Sequence, residues 1–120
     1  RADFRGQSEK LVRMIIGRGA APAVVDKFVQ LTTRLNPEAG LAMMEDSQRY
    51  DIAAAFKRVG VPVVAINSTM FPTNVEGNRK YLKKYEVLYL PDGIGHYPQY
   101  ECPDVFNGLL ERTLASIAGK

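Results

Sequence analysis

His96 is the only histidine of the chain, and its imidazole is the side chain best suited to proton transfer. An imidazole titrates near neutral pH, so it can both accept and donate a proton. The loop around it runs from Leu90 to Pro98, after a predicted strand and before a predicted helix. Ligands of open α/β sheets bind outside the carboxyl ends of the strands, so this loop is a favourable place for a site. The alternative is a loop histidine whose ring is satisfied by backbone groups.

The single cysteine, Cys102, restricts the remaining chemistry. One cysteine forms no internal disulfide, and one cysteine with one histidine cannot build a Cys/His zinc cluster. Nothing basic stands beside Cys102 to lower the pKa of its thiol, which favours packing over reaction. The cysteine content favours a reducing compartment, and the predicted localisation is cytoplasmic.

Length and charge fit one globular domain. The chain has 120 residues, 46% of them hydrophobic and 24% charged. Its net charge of +3 is too small to indicate nucleic acid or a membrane surface as a partner. No apolar run approaches the ~20 residues of a membrane span, and the first residues lack the apolar core of a signal peptide. The start at Arg1 rather than Met suggests a fragment or a processed piece.

Residues 1–59 carry helical signals only. Their apolar positions recur at helical spacing, and polar residues or Pro stand where helices begin. The predicted starts are Phe4 or Glu9 for the first helix, Pro22 for the second, Asn36 for the third and Asp51 for the fourth. We expect the fourth helix to reach Val59, and Leu41, Ala42 and Met44 to face inward from the third.

Residues 60–120 carry the signals of strand, helix, strand, loop and helix. Residues 61–66 form a β-branched run that is typical of a strand buried on both faces. A capping box from Thr73 to Glu76 begins a helix that is predicted to reach about Tyr85. Residues 86–90 are the second strand, and Pro103 begins the last helix. This order predicts a βαβ unit with parallel strands, and therefore an α/β fold.

Two strands are too few for a covered parallel sheet. Something outside this sequence is therefore expected to complete the sheet. Exposed strand edges and apolar helix faces tend to pair, so we expect either a companion chain or a homo-oligomer.

The segments 61–67, 86–90, 95–98 and 101–107 together resemble the C-terminal part of the α/β-hydrolase family. In that family the last two strands lead to a Gly-His pair, an aromatic residue, a Glu-x-Pro-Glu/Asp segment and a closing helix. The resemblance covers about residues 51–118. It implies a helical cap-like segment over residues 1–59 and the C-terminal βαβα part of the core over residues 60–120.

The resemblance implies that His96 is the general base of a nucleophile–His–acid triad that hydrolyses an ester or a related bond in a small-molecule substrate. Phe71 and Tyr97 flank the loops of the acid and the base, so they are expected to border the substrate cavity. No metal or organic cofactor is expected. No serine stands in a Gly-x-Ser-x-Gly elbow, so the nucleophile is expected in a missing N-terminal half. The chain alone is therefore expected to be inactive.

Thr69 stands where the family has its acid. The acid is then supplied by a strand of the missing half, or by Asp92 or Glu101, although both carboxylates are expected to face solvent. Alternatively, the protein has lost hydrolysis and binds a ligand or another protein on the same fold. A free-standing interaction module, completed by self-association, is a further possibility.

Overall fold

The computed structural model describes residues 3–119, which form a mixed α/β fold. Residues 3–59 contain helices and no strand, and both strands follow them, as the sequence predicts. The elements are α1 (Phe4–Ile15), α2 (Pro22–Thr33), α3 (Pro37–Arg49), α4 (Ile52–Lys57), β1 (Val63–Asn67), α5 (Val75–Arg79), β2 (Tyr85–Tyr89), α6 (Pro98–Glu101) and α7 (Pro103–Ala118). Among these residues, no helix is long and apolar enough to cross a membrane.

The two strands pair in parallel, which confirms the predicted pairing. Val63 lies opposite Tyr85 and Asn67 lies opposite Tyr89. The ladder begins where the Val63 N–H donates to the Lys84 carbonyl at 2.8 Å. No third strand joins this pair within residues 3–119, so β1 is only half-buried along its length. The expectation of a strand buried on both faces is therefore wrong for the described part of the chain.

Side-chain caps explain where three of the first four helices begin, whereas α2 begins at Pro22 without one. The caps are Asp3 for α1, Asn36 for α3 and Asp51 for α4. Each accepts a backbone N–H of the first turn, which has no partner inside the helix. The helix α1 begins at Phe4, the earlier of the two predicted starts, because Asp3 caps it. The helix α4 ends at Lys57, two residues before the predicted end.

The helix α5 is shorter than predicted, and its cap is different. Asn74, not Thr73, accepts the N–H of Gly77, at 2.9 Å. The Thr73 hydroxyl instead accepts a hydrogen bond from the Asn67 side-chain amide at 2.8 Å, which joins the start of α5 to the end of β1. The predicted capping box is therefore wrong. The helix also stops well before Tyr85, because that residue already belongs to β2.

The apolar side of α3 is exposed, which corrects the predicted inward face. Leu41 is 40% exposed and Met44 is 56% exposed, and Ala42 is exposed as well. Gly40 alone is half-buried in this helix, beside the ring of Phe4. No other element in residues 3–119 covers the stripe, so helical periodicity predicted the helix correctly but not its burial.

One apolar cluster joins the helical part of the chain to the loop after β2. Its buried members are Val12 in α1, Ile16 just after it and Phe28 in α2. Tyr97, which follows His96 directly, packs against this cluster. The first two helices and the histidine loop therefore share one core.

Candidate functional site

A short loop between β2 and α6 carries His96 to the surface. The chain leaves the sheet at Leu90, which is 2% exposed. It then turns at Gly93, whose φ of 89° lies in the left-handed region that favours glycine. Gly95 is buried, whereas His96 beside it is exposed. The imidazole therefore lies at the surface on the carboxyl side of the parallel strands.

Two aromatic rings meet the imidazole edge-on. The Phe71 ring centroid lies 6.2 Å from that of His96, and the Tyr97 centroid lies 5.3 Å away. The interplanar angles are 86° and 85°. The structure thus brings together the three residues predicted for the site. Within residues 3–119 the imidazole has no hydrogen-bond partner, so its nitrogens are open to an incoming group.

A cavity of about 590 Å³ opens beside His96 and Phe71. Cavities of this size accommodate small-molecule ligands. Apolar rings and side-chain amides line it together. Apart from His96, the lining includes Phe71, Phe106, Asn67, Asn74 and Asn78. The mixture suits a ligand that is partly apolar and carries hydrogen-bonding groups.

Tyr97 packs away from this cavity. Its ring stacks on Phe28 with the centroids 3.8 Å apart and an interplanar angle of 14°. Burial raises the pKa of the Tyr97 phenol, and the negative charge of Glu101 raises it further. The phenol therefore stays protonated at neutral pH, and its ring holds α2 against the histidine loop. Its role as a substrate contact stays a prediction.

A carboxylate lies beside Thr69, the residue that the resemblance described above places at the position of a triad acid. The Thr69 hydroxyl donates to the Asp92 carboxylate at 2.7 Å. The Ser68 hydroxyl next to it donates to the Ile94 carbonyl. The loop after β1 is thus tied to the loop after β2. Asp92 is exposed, as expected.

Glu101 does not face solvent, which corrects the expectation for this residue. It is half-buried, and its carboxylate accepts three backbone N–H groups. One oxygen accepts from Gly17 at 2.9 Å and from Gly95 at 2.7 Å, and the other accepts from Tyr97 at 3.0 Å. Three of the roughly four lone-pair positions of this carboxylate therefore accept backbone N–H groups of the loop and of α1, and no hydrogen bond joins it to the imidazole within residues 3–119.

Two buried glycines allow the end of α1 to touch the histidine loop. A Cβ on Gly17 would lie 2.5 Å from the Gly95 nitrogen, and a Cβ on Gly95 would lie 2.5 Å from the Ile15 carbonyl oxygen. The His96 N–H donates to that same Ile15 carbonyl at 2.8 Å. Only glycine permits such a close approach of two backbones. The sequence signal was a Gly before His96 and a Gly after the first helix, but nothing in the sequence paired them.

Comparison with known proteins adds no identification. The chain matches no protein-family model and no curated protein. Residues 3–119 contain no group of three or more His, Cys, Asp or Glu side chains placed to hold a metal ion. Function is therefore inferred from the residues of the site and their geometry.

The geometry around Cys102 predicts slow thiol chemistry. Burial raises the pKa of the Cys102 thiol, the charge of Glu101 raises it further, and a hydrogen bond with the Phe106 backbone partly opposes both. Less thiolate is present at pH 8 than in a free cysteine, and the thiolate is the reacting form. We expect the thiol reagent dithiobis(nitrobenzoate) to react with Cys102 several-fold more slowly in the folded chain than in the chain unfolded in urea. Equal rates in the two states would contradict this.

Proposed function

We propose that this chain is the C-terminal part of an α/β-hydrolase-fold protein, in which His96 is the general base for hydrolysis of an ester or a related bond. One observation carries the proposal. An exposed imidazole lies on the carboxyl side of a parallel strand pair, beside a cavity, in a loop anchored by backbone hydrogen bonds. Ligands of open α/β sheets bind on this side of the strands, and an imidazole can both accept and donate a proton, so the place and the residue type suit a general base.

In the proposed reaction the His96 imidazole removes the proton of a nucleophile as that nucleophile attacks the carbonyl carbon of the substrate. The imidazolium then gives the proton to the leaving group, which departs and leaves the acyl group bonded to the nucleophile. In the second half of the reaction the imidazole takes a proton from a water molecule, whose oxygen attacks the acyl carbon, and then returns that proton to the nucleophile as the acid product is released. The nucleophile and the donors for the oxyanion come from the N-terminal half. Ser68 is no substitute for the nucleophile, because its hydroxyl already donates to the Ile94 carbonyl.

The contact at Thr69 favours Asp92 over Glu101 as the carboxylate that this chain contributes to the triad. Asp92 is hydrogen-bonded to the residue in the acid's place, whereas Glu101 is occupied by three N–H groups. A carboxylate fixes the tautomer of the imidazole and stabilises the imidazolium. The remaining source of the acid is a strand of the N-terminal half.

Open surfaces support a partner that completes the fold. Both edges of the strand pair are open within residues 3–119. The helix α7 exposes an apolar stripe, with Leu110 37%, Ile117 43% and Leu114 58% exposed. The N-terminal half is the proposed occupant, and a second copy of the chain is the alternative. The substrate is a small molecule, no cofactor is proposed, and the proposed location is the cytoplasm.

The second candidate function is a non-catalytic ligand- or protein-binding member of the same fold. Thr69 favours this alternative, because a hydroxyl cannot hold a negative charge against an imidazolium. The imidazole also has no carboxylate partner within residues 3–119. On this alternative the cavity binds its ligand without turnover.

Hydrolysis of 4-nitrophenyl esters tests the proposal. The complete protein, which we define as the N-terminal half together with this chain, is expected to turn over. The chain alone is expected to stay at the background rate, because loss of the nucleophile and the oxyanion donors removes several orders of magnitude in rate. If the complete protein binds the ester saturably but does not cleave it, the binding alternative is supported and the hydrolase proposal is wrong.

A further inference from the structure

We infer that Glu101 is the positioning residue of His96. Its carboxylate, together with the N–H groups of Gly17, Gly95 and Tyr97, forms what we call the Glu101 clamp. The clamp joins the end of α1 to the loop that carries the imidazole. Its catalytic meaning rests on the proposed function, but the clamp itself can be measured without catalysis.

The clamp brackets His96 along the backbone. The N–H of Gly95 before it and the N–H of Tyr97 after it both donate to Glu101, at 2.7 and 3.0 Å. The N–H of His96 itself donates to the Ile15 carbonyl at 2.8 Å. Three consecutive N–H groups are thus held by fixed acceptors, so the direction of the His96 Cα–Cβ bond is fixed as well.

The same carboxylate reaches across the chain. The Gly17 N–H, 84 positions away in sequence, donates to the Glu101 oxygen that also accepts from Gly95. Hydrogen bonds to a carboxylate are shorter and roughly twice as strong as those between neutral groups. Gly17 and Gly95 leave no room for a larger side chain at this contact. The Glu101 carboxylate and the hydrogen bond from the His96 N–H to the Ile15 carbonyl therefore hold the two backbones together.

The three donors require a carboxylate on a side chain of this length. A glutamine has the same shape but only one acceptor oxygen, since its other terminal atom is an NH₂ donor. In Glu101→Gln, at least one of the three backbone N–H groups therefore faces another donor. An aspartate is shorter by one methylene group and does not reach all three. Glutamine thus tests the charge and the acceptors, and aspartate tests the reach.

Amide proton shifts measure the clamp directly. In the ¹⁵N-labelled chain, an N–H donated to a carboxylate resonates at low field. We expect the Gly17, Gly95 and Tyr97 amide protons to move upfield together in Glu101→Gln, and the His96 ring proton on Cε1 to shift with them. The shift of that ring proton depends on the position of the imidazole, because the aromatic rings of Phe71 and Tyr97 lie near it and nearly perpendicular to it. Unchanged shifts of these groups in folded Glu101→Gln would overturn the inference.

The matched control is Glu111→Gln, which changes an exposed carboxylate of α7 that has no hydrogen bond or ion pair in residues 3–119. It is expected to leave all four signals in place. If Glu101→Gln fails to fold, hydrogen exchange of the unmodified chain decides instead. Slow exchange of the Gly17, Gly95 and Tyr97 amides supports the clamp, and exchange at the rate of an open loop overturns it.

A catalytic measurement separates failure of the clamp from failure of the proposed function. In the complete protein, Glu101→Gln is expected to lower kcat for ester hydrolysis by roughly 10²-fold with little change in KM, because it displaces the base rather than the substrate. If the amide signals shift in Glu101→Gln but the complete protein has no esterase activity, the clamp is supported and the proposed hydrolase function is wrong. If the amide signals do not shift and kcat of Glu101→Gln is normal, the clamp is refuted and the proposed function is unaffected.

Discussion

Replacing His96 with alanine is expected to lower kcat/KM for ester hydrolysis by the complete protein by roughly 10⁴- to 10⁶-fold. An alanine has no group that takes the proton of the nucleophile, and the chain has no second histidine to replace it. Substrate binding is expected to persist, because the cavity beside His96 is lined by other side chains as well. Initial rates with a 4-nitrophenyl ester measure the loss.

The control for this substitution is Gln48→Ala, which truncates an exposed side chain of α3 that has no hydrogen bond within residues 3–119. Its rate is expected to match that of the unmodified protein. Circular dichroism should give the same spectrum for both variants, since His96 is exposed and its ring supports no core packing. Undiminished turnover by folded His96→Ala would remove His96 from the mechanism.

Replacing Gly95 with alanine is expected to destabilise the fold by at least about 2 kcal/mol. The new Cβ would overlap the Gly17 nitrogen and lie 2.5 Å from the Ile15 carbonyl oxygen. Both are backbone atoms held by hydrogen bonds, so they cannot move aside as the end of a flexible side chain would. The midpoint of urea unfolding measures the effect.

Gly108→Ala is the matched control for this substitution. Gly108 lies inside α7, and a Cβ there would meet no heavy atom within 4 Å. Alanine in a helix interior is more stable than glycine by roughly 0.5–1 kcal/mol, so this variant should unfold at a higher urea concentration. If Gly95→Ala unfolded at the same concentration as the unmodified chain, the close contact between α1 and the histidine loop would be refuted.

Local signals were sufficient to predict most of the elements and the parallel pairing. The start of α3 at Asn36-Pro37 and the β-branched run of β1 are properties of neighbouring residues. The errors arose where the outcome depends on distant residues. The apolar stripe of α3 is exposed because no other described element packs on it, and periodicity alone cannot show that. The predicted capping box failed because the Thr73 hydroxyl bonds to Asn67 in β1 instead.

The candidate site was predicted in part. The sequence predicts His96, Phe71 and Tyr97 as site residues, and in the structure the rings of Phe71 and Tyr97 both lie beside the imidazole. The role of Glu101 was missed, because its partners are backbone N–H groups, which almost every residue has. One of them lies 84 positions away, and no side-chain pattern marks such a contact. The sequence offers Asp92 and Glu101 as alternative acids but contains nothing that ranks Asp92 above Glu101.

The central claim is that His96 is the general base. The most direct measurement compares two pH dependences in the complete protein. One is that of kcat/KM, and the other is that of the NMR chemical shift of the His96 proton on Cε1, which follows protonation of the imidazole. The signal of this proton is identified by its absence in His96→Ala. We predict that kcat/KM rises as the imidazole loses its proton, and that the two curves share one midpoint, because only the neutral imidazole accepts a proton. A rate that stays constant through the titration of the imidazole, or follows a different midpoint, would contradict the account.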